Sequence, residues 1–330
     1  MRRRDFIKGI VGSASAWPVA ARAQQPAHLR QVAILRAEVA GDPEGLRNSA
    51  ALVQGLEALG WTPGRNVRIE QRWAGGSVDA MKALARELVA LEPDVIVVIS
   101  TPVTLAVMQE THKIPVIFVQ NFDPVGSGLV KSLVAPGGNI TGFTSYEAAM
   151  ATKWLELLKG VGPQVARVSI MYNPQTAPYA GTFLRSIEAA GPTFAIQSIA
   201  MPIQDAGTIE KAIEASARQI NSSLMVLPDV TTTVQEKLIV RLAVQYRLPA
   251  IYPWRHFVAA GGLMSYAADL PNLWRRAATY VDLVLKGEKP ANLPVQQPTR
   301  FELVINLTTA KALGLTIPAS ILSLADDLIE

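Results

Sequence analysis

The sequence predicts an α/β protein of two doubly wound lobes, each a parallel sheet covered by helices, joined by a hinge of several strands. Three observations predict it. Short β-branched apolar runs alternate with amphipathic helical stretches from residue 31 almost to the end. The Gly-rich stretch Ala135-Pro136-Gly137-Gly138-Asn139-Ile140-Thr141-Gly142-Phe143 separates two such series. The chain has 330 residues at 49% hydrophobic, more than one core usually holds, since single cores stop growing near ~250–300 residues.

In the first series Gln31–Arg36 reads as a buried strand and Pro43–Leu59 as a helix ended by Gly60. Asn66–Trp73 is strand-like, with Val67, Ile69 and Gln71 alternating against Arg68, Glu70 and Arg72. Helix Val78–Leu91 leads to the run Asp94-Val95-Ile96-Val97-Val98-Ile99, then helix Val103–Thr111 and strand Pro115–Gln120 follow. Continuous β-branched runs suit parallel strands covered on both faces, and the β-α-β order makes the layer doubly wound. The second series runs helix Ala148–Lys159, strand Ala166–Tyr172, helix Pro178–Ala190, strand Thr193–Ala200, helix Asp205–Gln219, strand Ser223–Leu227, helix Thr233–Tyr246 and the short apolar run Pro249–Pro253.

Further crossings between lobes are expected near Gly261–Asp269 and Gln296–Arg300. Helix Pro271–Leu285 then returns to the first lobe, Phe301–Leu307 is a final strand, and Lys311–Leu315 belongs to a short helix. The expected division is residues 24–142 plus about 268–298 for lobe 1, and 143–267 plus about 299–330 for lobe 2. Several connecting strands make a hinge suited to closure around a ligand.

The N-terminus reads as an export signal. Arg2-Arg3-Arg4-Asp5-Phe6-Ile7-Lys8 precedes an apolar stretch, Gly9–Val19, and the small-x-small site Ala21-Arg22-Ala23. The Arg3-Arg4-x-Phe6-Ile7-Lys8 spacing resembles a twin-arginine signal; the general secretory route is the alternative. The stretch is too short for a spanning helix, which needs ~20 residues, so cleavage after Ala23 and a periplasmic location are expected, with no membrane anchor remaining. The whole chain has 31 Lys+Arg against 27 Asp+Glu; residues 1–23 hold five of the former and one of the latter, which leaves 26 of each. The net +4 therefore belongs to the leader, and no charge argument for nucleic acid survives. No cysteine is present, which excludes disulfides, thiolate metal sites, thiol nucleophiles and a lipid-anchored N-terminal Cys.

Ligands of open parallel sheets bind beyond the carboxyl ends of the strands. Those ends are Arg36-Ala37-Glu38, Ser100-Thr101-Pro102 and Gln120-Asn121-Phe122-Asp123-Pro124 in the first lobe. In the second they are Tyr172-Asn173-Pro174, Pro228-Asp229-Val230-Thr231 and Tyr252-Pro253-Trp254. The candidate site is Glu38, Ser100, Thr101, Asp123, Tyr172, Asn173, Asp229, Thr231, Tyr252 and Tyr266. Amides after Ser100 and the hydroxyls from Thr231 to Thr233 suit a carboxylate at a helix start, and Tyr172, Tyr252, Trp254 and Tyr266 suit flat walls around an apolar or cyclic ligand. Each has a structural alternative: Ser100 and Thr231 as helix caps, Asp123-Pro124 and Asn173-Pro174 as turn initiators. Asp229 pairs either with an arginine of its lobe or with a ligand ammonium group.

Catalytic patterns are poor. His28, His112 and His256 share no metal-ligand spacing. No Gly-x-Ser-x-Gly, Gly-x-Gly-x-x-Gly or Walker A sequence occurs. The expectation is binding without chemistry, with no cofactor.

Two long blocks carry a resemblance. They are Phe122-Asp123-Pro124-Val125-Gly126 continuing to Pro136-Gly137-Gly138-Asn139-Ile140-Thr141-Gly142, and Phe301-Glu302-Leu303-Val304-Ile305-Asn306-Leu307 continuing to Gly314-Leu315 and Ile317-Pro318. With Ser265-Tyr266 ahead of Asp269-Leu270, the sequence resembles the ABC transporter substrate-binding proteins, similar to tryptophan/tyrosine-binding proteins of Gram-positive bacteria. The resemblance implies a type I periplasmic-binding fold. It also implies a small ligand, an amino acid or an aromatic or carboxylated solute, held between the lobes and delivered to a membrane permease served by a separate ATPase subunit. It favours Ser100, Thr101, Asp123, Tyr172, Asn173, Asp229 and Tyr252 as cleft residues. A periplasmic sensor for a signalling partner is the alternative. Two segments depart from the family pattern: Arg36-Ala37-Glu38-Val39-Ala40, where relatives carry small residues, and the bulkier Ser100-Thr101-Pro102-Val103.

Overall fold

A computed structural model describes residues 29–147 and 150–330; the expected leader 1–23, His28 and the expected helix start at Ala148 lie outside the described residues. Two mostly parallel sheets carry the fold. The first has the order β2-β1-β3-β4-β5, formed by β1 (Arg30–Arg36), β2 (Val67–Trp73), β3 (Val95–Ile99), β4 (Val116–Asn121) and β5 (Ile140–Thr144), all parallel. Its helices are α1 (Pro43–Ala58), α2 (Val78–Ala90) and α3 (Thr101–Glu110). The period-two geometry of a strand sorts the uninterrupted β3 run onto two faces. Val95, Val97 and Ile99 join a core with Leu52 and Leu56 of α1, whereas Ile96 and Val98 join one with Met81, Leu88 and Val107 of α2 and α3.

The second sheet has the order β12-β11-β10-β9-β8-β6-β7. Chain order runs α4 (Met150–Val161), β6 (Arg167–Tyr172), α5 (Ala180–Phe194), β7 (Gln197–Pro202), α6 (Ala206–Ala217), β8 (Ser222–Val226), α7 (Val230–Val234), α8 (Glu236–Gln245), β9 (Ala250–Tyr252), α9 (Arg255–Ala259) and β10 (Met264–Ala268). Helix α10 (Leu270–Leu285) then crosses back and packs on α1 of the first lobe. The chain returns through Gln296, which exchanges backbone hydrogen bonds of 2.9 Å with Gly142 and Thr144 beside β5. It closes with β11 (Phe301–Asn306), antiparallel to β10, then α11 (Leu307–Ala312), α12 (Ala319–Leu322) and β12 (Asp327–Ile329).

Several element bounds differ from the sequence reading. Helix α5 continues through Gly191 and Pro192 to Phe194 rather than stopping at Ala190. A proline in the last turn forfeits one hydrogen bond near an end where few remain, and Ala195 in the left-handed region (φ 51°) closes the helix. The stretch expected as one helix from Thr233 is two, α7 and α8, broken at Gln235; the β-branched Thr231-Thr232-Thr233 run is a poor helix former. Helix α11 ends at Ala312 rather than taking in Leu315, and it starts at Leu307, where the Asn306 side chain accepts from the Thr309 amide.

Gly142 lies where β5 runs closest to β4, and a β-carbon there would overlap the Phe118 backbone. Gly142→Ala is expected to destabilise the protein by about 2–3 kcal/mol, the scale of overpacking a buried site, read as a lower urea midpoint with unchanged slope.

Candidate functional site

The carboxyl ends of β1, β3 and β4 face those of β6 and β8, and between them lies a narrow cavity of about 50 Å³ that opens to solvent. The first lobe contributes Glu38, Asp42, Asn48, Ser100, Thr101, Gln120 and Phe122; the second contributes Thr176, Tyr179, Asp229, Thr233, Trp254 and His256.

Tight local geometry positions the first-lobe groups. Ser100 caps α3 with φ 78° and ψ 156°, a region almost reserved for glycine. Gln120 and Asp123 are also left-handed, at φ 60° and 42°. Three such residues at neighbouring strand tips mark a place where side-chain aim outweighs backbone ease. The Ser100 hydroxyl has no hydrogen-bond partner among the described residues, nor do Gln120 Oε1, Asn48 Oδ1, the Tyr179 hydroxyl or Glu38 Oε2. Unpaired buried polar atoms cost about 1–3 kcal/mol each, so five around one cavity point to a polar ligand that pairs with them.

Ser100→Gly is expected to raise the stability of the unliganded protein by about 1 kcal/mol. Relief of strain worth roughly 1–3 kcal/mol exceeds the added unfolded-state entropy. Ligand binding should weaken in the same variant, and a thermal shift measured with and without ligand reads both.

Behind Glu38 sits Arg36, fully buried. Its guanidinium lies between Trp73 and Trp274, 4.9 and 5.0 Å from the ring centroids. It donates to Ser49 Oγ at 3.2 Å and to Glu38 Oε1 at 3.0 Å. On the opposite wall the Asp229 carboxylate accepts from the Asn173 amide and the Thr176 hydroxyl, and from the Thr231 amide at 2.7 Å. Asn173 Nδ2 in turn donates to Thr231 Oγ1 at 2.9 Å. Burial raises the Asp229 pKa from 3.8 to about 6, outweighing the three hydrogen bonds that favour its charged form. Burial, and secondarily the Asp229 charge, hold the Tyr179 phenol well above its ordinary value.

The structure therefore brings Glu38, Ser100, Thr101 and Asp229 to one cavity and sets Asn173 and Thr231 directly behind Asp229. Asp123 lines a separate recess with Tyr146, where its Oδ2 accepts from Thr182 Oγ1 across the lobes at 3.0 Å. Tyr172 is half-buried against the second-lobe core. Tyr252 is 1% exposed and stacks on Phe257 at 5.3 Å between ring centroids. Tyr266 stacks on Phe301, and its carbonyl accepts from Trp154 Nε1 at 2.9 Å. Neither Tyr252 nor Tyr266 reaches the cavity, because each sits within its sheet rather than beyond its end. Of the four aromatics expected as walls Trp254 lines the cavity, joined by Phe122 and Tyr179, whose centroids are 4.4 Å apart.

Asn48, Thr176 and Tyr179 were missed by the sequence reading. Asn48 is a buried amide inside α1, and that break in an apolar face was its one available signal. Among the described residues no group of three His, Cys, Asp or Glu could hold a metal ion. Among the same residues, no helix is long and apolar enough to cross a membrane.

Comparison with known proteins adds three findings. A family model described as ABC transporter substrate binding protein matches residues 38–329. A tyrosine-binding protein of Clostridioides difficile is 29% identical over 272 residues, covering 80% of this chain and 75% of that one. Two solved structures are similar throughout. A conserved domain protein of Vibrio cholerae has TM-score 0.85 and 29% identity, over 91% of this chain and 99% of that one. An ABC domain of Streptococcus pneumoniae in complex with L-Trp has TM-score 0.83 and 26% identity, over 90% and 100%.

Proposed function

Because the chain belongs to the ABC transporter substrate-binding protein family, whose partners are a small-molecule ligand and a membrane permease, we propose that it is the periplasmic receptor of an importer. It takes up an amino-acid-like solute in the cavity between its lobes and delivers it to the permease, whose ATPase is a separate polypeptide. One observation carries the reading: a cavity walled by both lobes holds five buried polar atoms with no partner among the described residues. A ligand touching both walls stabilises the closed arrangement in proportion to its preference for it.

The relatives' ligands, tyrosine and L-Trp, support an amino-acid class. In this reading the solute's carboxylate meets the Ser100 hydroxyl and the amides at the start of α3, and its ammonium group meets Asp229. Asn173 and Thr231 position Asp229. Residues 24–142 with about 268–298, and 143–267 with about 299–330, act as the two closing lobes.

The test is a thermal-shift screen of the common amino acids, followed by calorimetry. A true ligand at 100 times its dissociation constant adds roughly 2.7 kcal/mol. Absence of a shift with every amino acid would defeat the receptor reading. Export is tested separately: fractionation and mass spectrometry of the expressed full chain should find mature protein beginning at Gln24. Substituting lysine for both Arg3 and Arg4 should leave the precursor in the cytoplasm if the twin-arginine route is used.

A further inference from the structure

The charge balance of the cavity is unusual for a site that receives a neutral amino acid. Four carboxylates line it, those of Glu38, Asp42, Glu44 and Asp229, while no lysine or arginine does so among the described residues. Two of the four are neutralised from outside, Glu38 by Arg36 at 3.0 Å and Glu44 by Arg47 at 2.9 Å. Asp42 and Asp229 have no such partner; Asp42 accepts from the Gly45 amide at 2.6 Å as the cap of α1, and Asp229 accepts only from neutral groups. The one lining base, His256, is engaged by Glu236. A zwitterion brings no net charge, and its carboxylate would enter a cavity already short of cations.

A second, independent observation is the kind of polar atom left open. Gln120 and Asn48 are 7% and 2% exposed, line the cavity, and leave carbonyl oxygens Oε1 and Oδ1 unpartnered. Glu38 Oε2 is likewise buried and unpartnered, its other oxygen being taken by Arg36. All three are acceptors. They take N–H or O–H donors, while the other two open groups, the Ser100 and Tyr179 hydroxyls, can donate as well as accept; the aromatic wall of Phe122, Tyr179 and Trp254 is compatible with a cation against it.

We propose that the solute carries a net positive charge on a further N–H-bearing group beyond any α-ammonium of a zwitterion, an amine or guanidinium, and that Glu38 is the residue that selects it. The inference rests on the receptor reading and narrows its ligand class away from the neutral aromatic amino acids named for the relatives. Glu38 stands just beyond the tip of β1.

The experiment is calorimetric titration of the full chain with L-arginine, L-lysine and putrescine, against L-citrulline, L-tyrosine and L-tryptophan. L-citrulline keeps the shape of arginine and lacks its charge, so this comparison does not depend on any variant folding. At least one cation should bind, with arginine at least tenfold tighter than citrulline, and Glu38→Gln should lose at least tenfold in cation affinity. Equal affinity for arginine and citrulline overturns the proposal, as does a Glu38→Gln protein that folds and binds the cations unchanged. Binding of tyrosine or tryptophan alone also overturns it while leaving the receptor reading intact. No binding by any of the six overturns it too, and the wider amino-acid screen then decides the receptor reading by itself.

Discussion

Replacing Arg36 by alanine is expected to destabilise the protein by about 3–5 kcal/mol, the range for removing one partner of a buried charge pair. Three losses coincide. The guanidinium no longer fills the gap between the Trp73 and Trp274 rings. Ser49 loses its donor. Glu38, with one oxygen already unpartnered, keeps its charge without a counter-ion. Arg36→Met restores most of the volume between the rings and should recover part of the loss, separating packing from charge. Urea denaturation followed by tryptophan fluorescence measures both variants, and two of the six tryptophans of the chain flank the substitution. A loss below about 1 kcal/mol in the alanine variant would show that the stacked arginine contributes little, as in exposed ion pairs.

The second large effect is on pH. Ligand binding is expected to weaken about tenfold per unit as pH falls below about 6, because a proton competes with the solute's cation for Asp229. The groups facing that carboxylate are neutral donors, the Asn173 and Thr231 amides and the Thr176 hydroxyl, with the Tyr179 phenol held protonated by burial. His256 lines the same cavity, held by Glu236. The unliganded protein should respond in the opposite direction. The folded pKa of Asp229 lies above its unfolded value of 3.8, so its contribution to stability is full below about pH 4. That contribution is lost as pH rises through about 6. Calorimetry between pH 5 and 8 reads the first effect and thermal denaturation over the same range the second. Asp229→Asn should flatten both, and affinity that stays constant from pH 5 to 7 would remove Asp229 from the ligand's contacts.

The sequence by itself determined the class of fold, because the period of its apolar residues is a local property. The β-branched run of β3 and the amphipathic stretches of α1 and α2 admit few other layers, and strand ends follow from the layers. That reasoning led to Glu38, Ser100, Thr101 and Asp229, all of which line one cavity. It also named Tyr252 and Tyr266, whose rings stack on Phe257 and Phe301; Tyr252 closes β9 and Tyr266 lies mid-strand in β10, and the sequence does not record which way either ring turns. Tertiary structure alone decided three further points. It placed Asn48, in the middle of a helix, beside Gln120 at a strand tip. It set Arg36 between two tryptophans 201 positions apart in the chain. It also gathered four carboxylates from both lobes around a cavity that no lysine or arginine among the described residues lines. Net charge near zero after residue 23 gave no sign of that local imbalance, because charge along a chain adds without regard to position whereas the field in a cavity depends on which few groups the fold brings within reach of it.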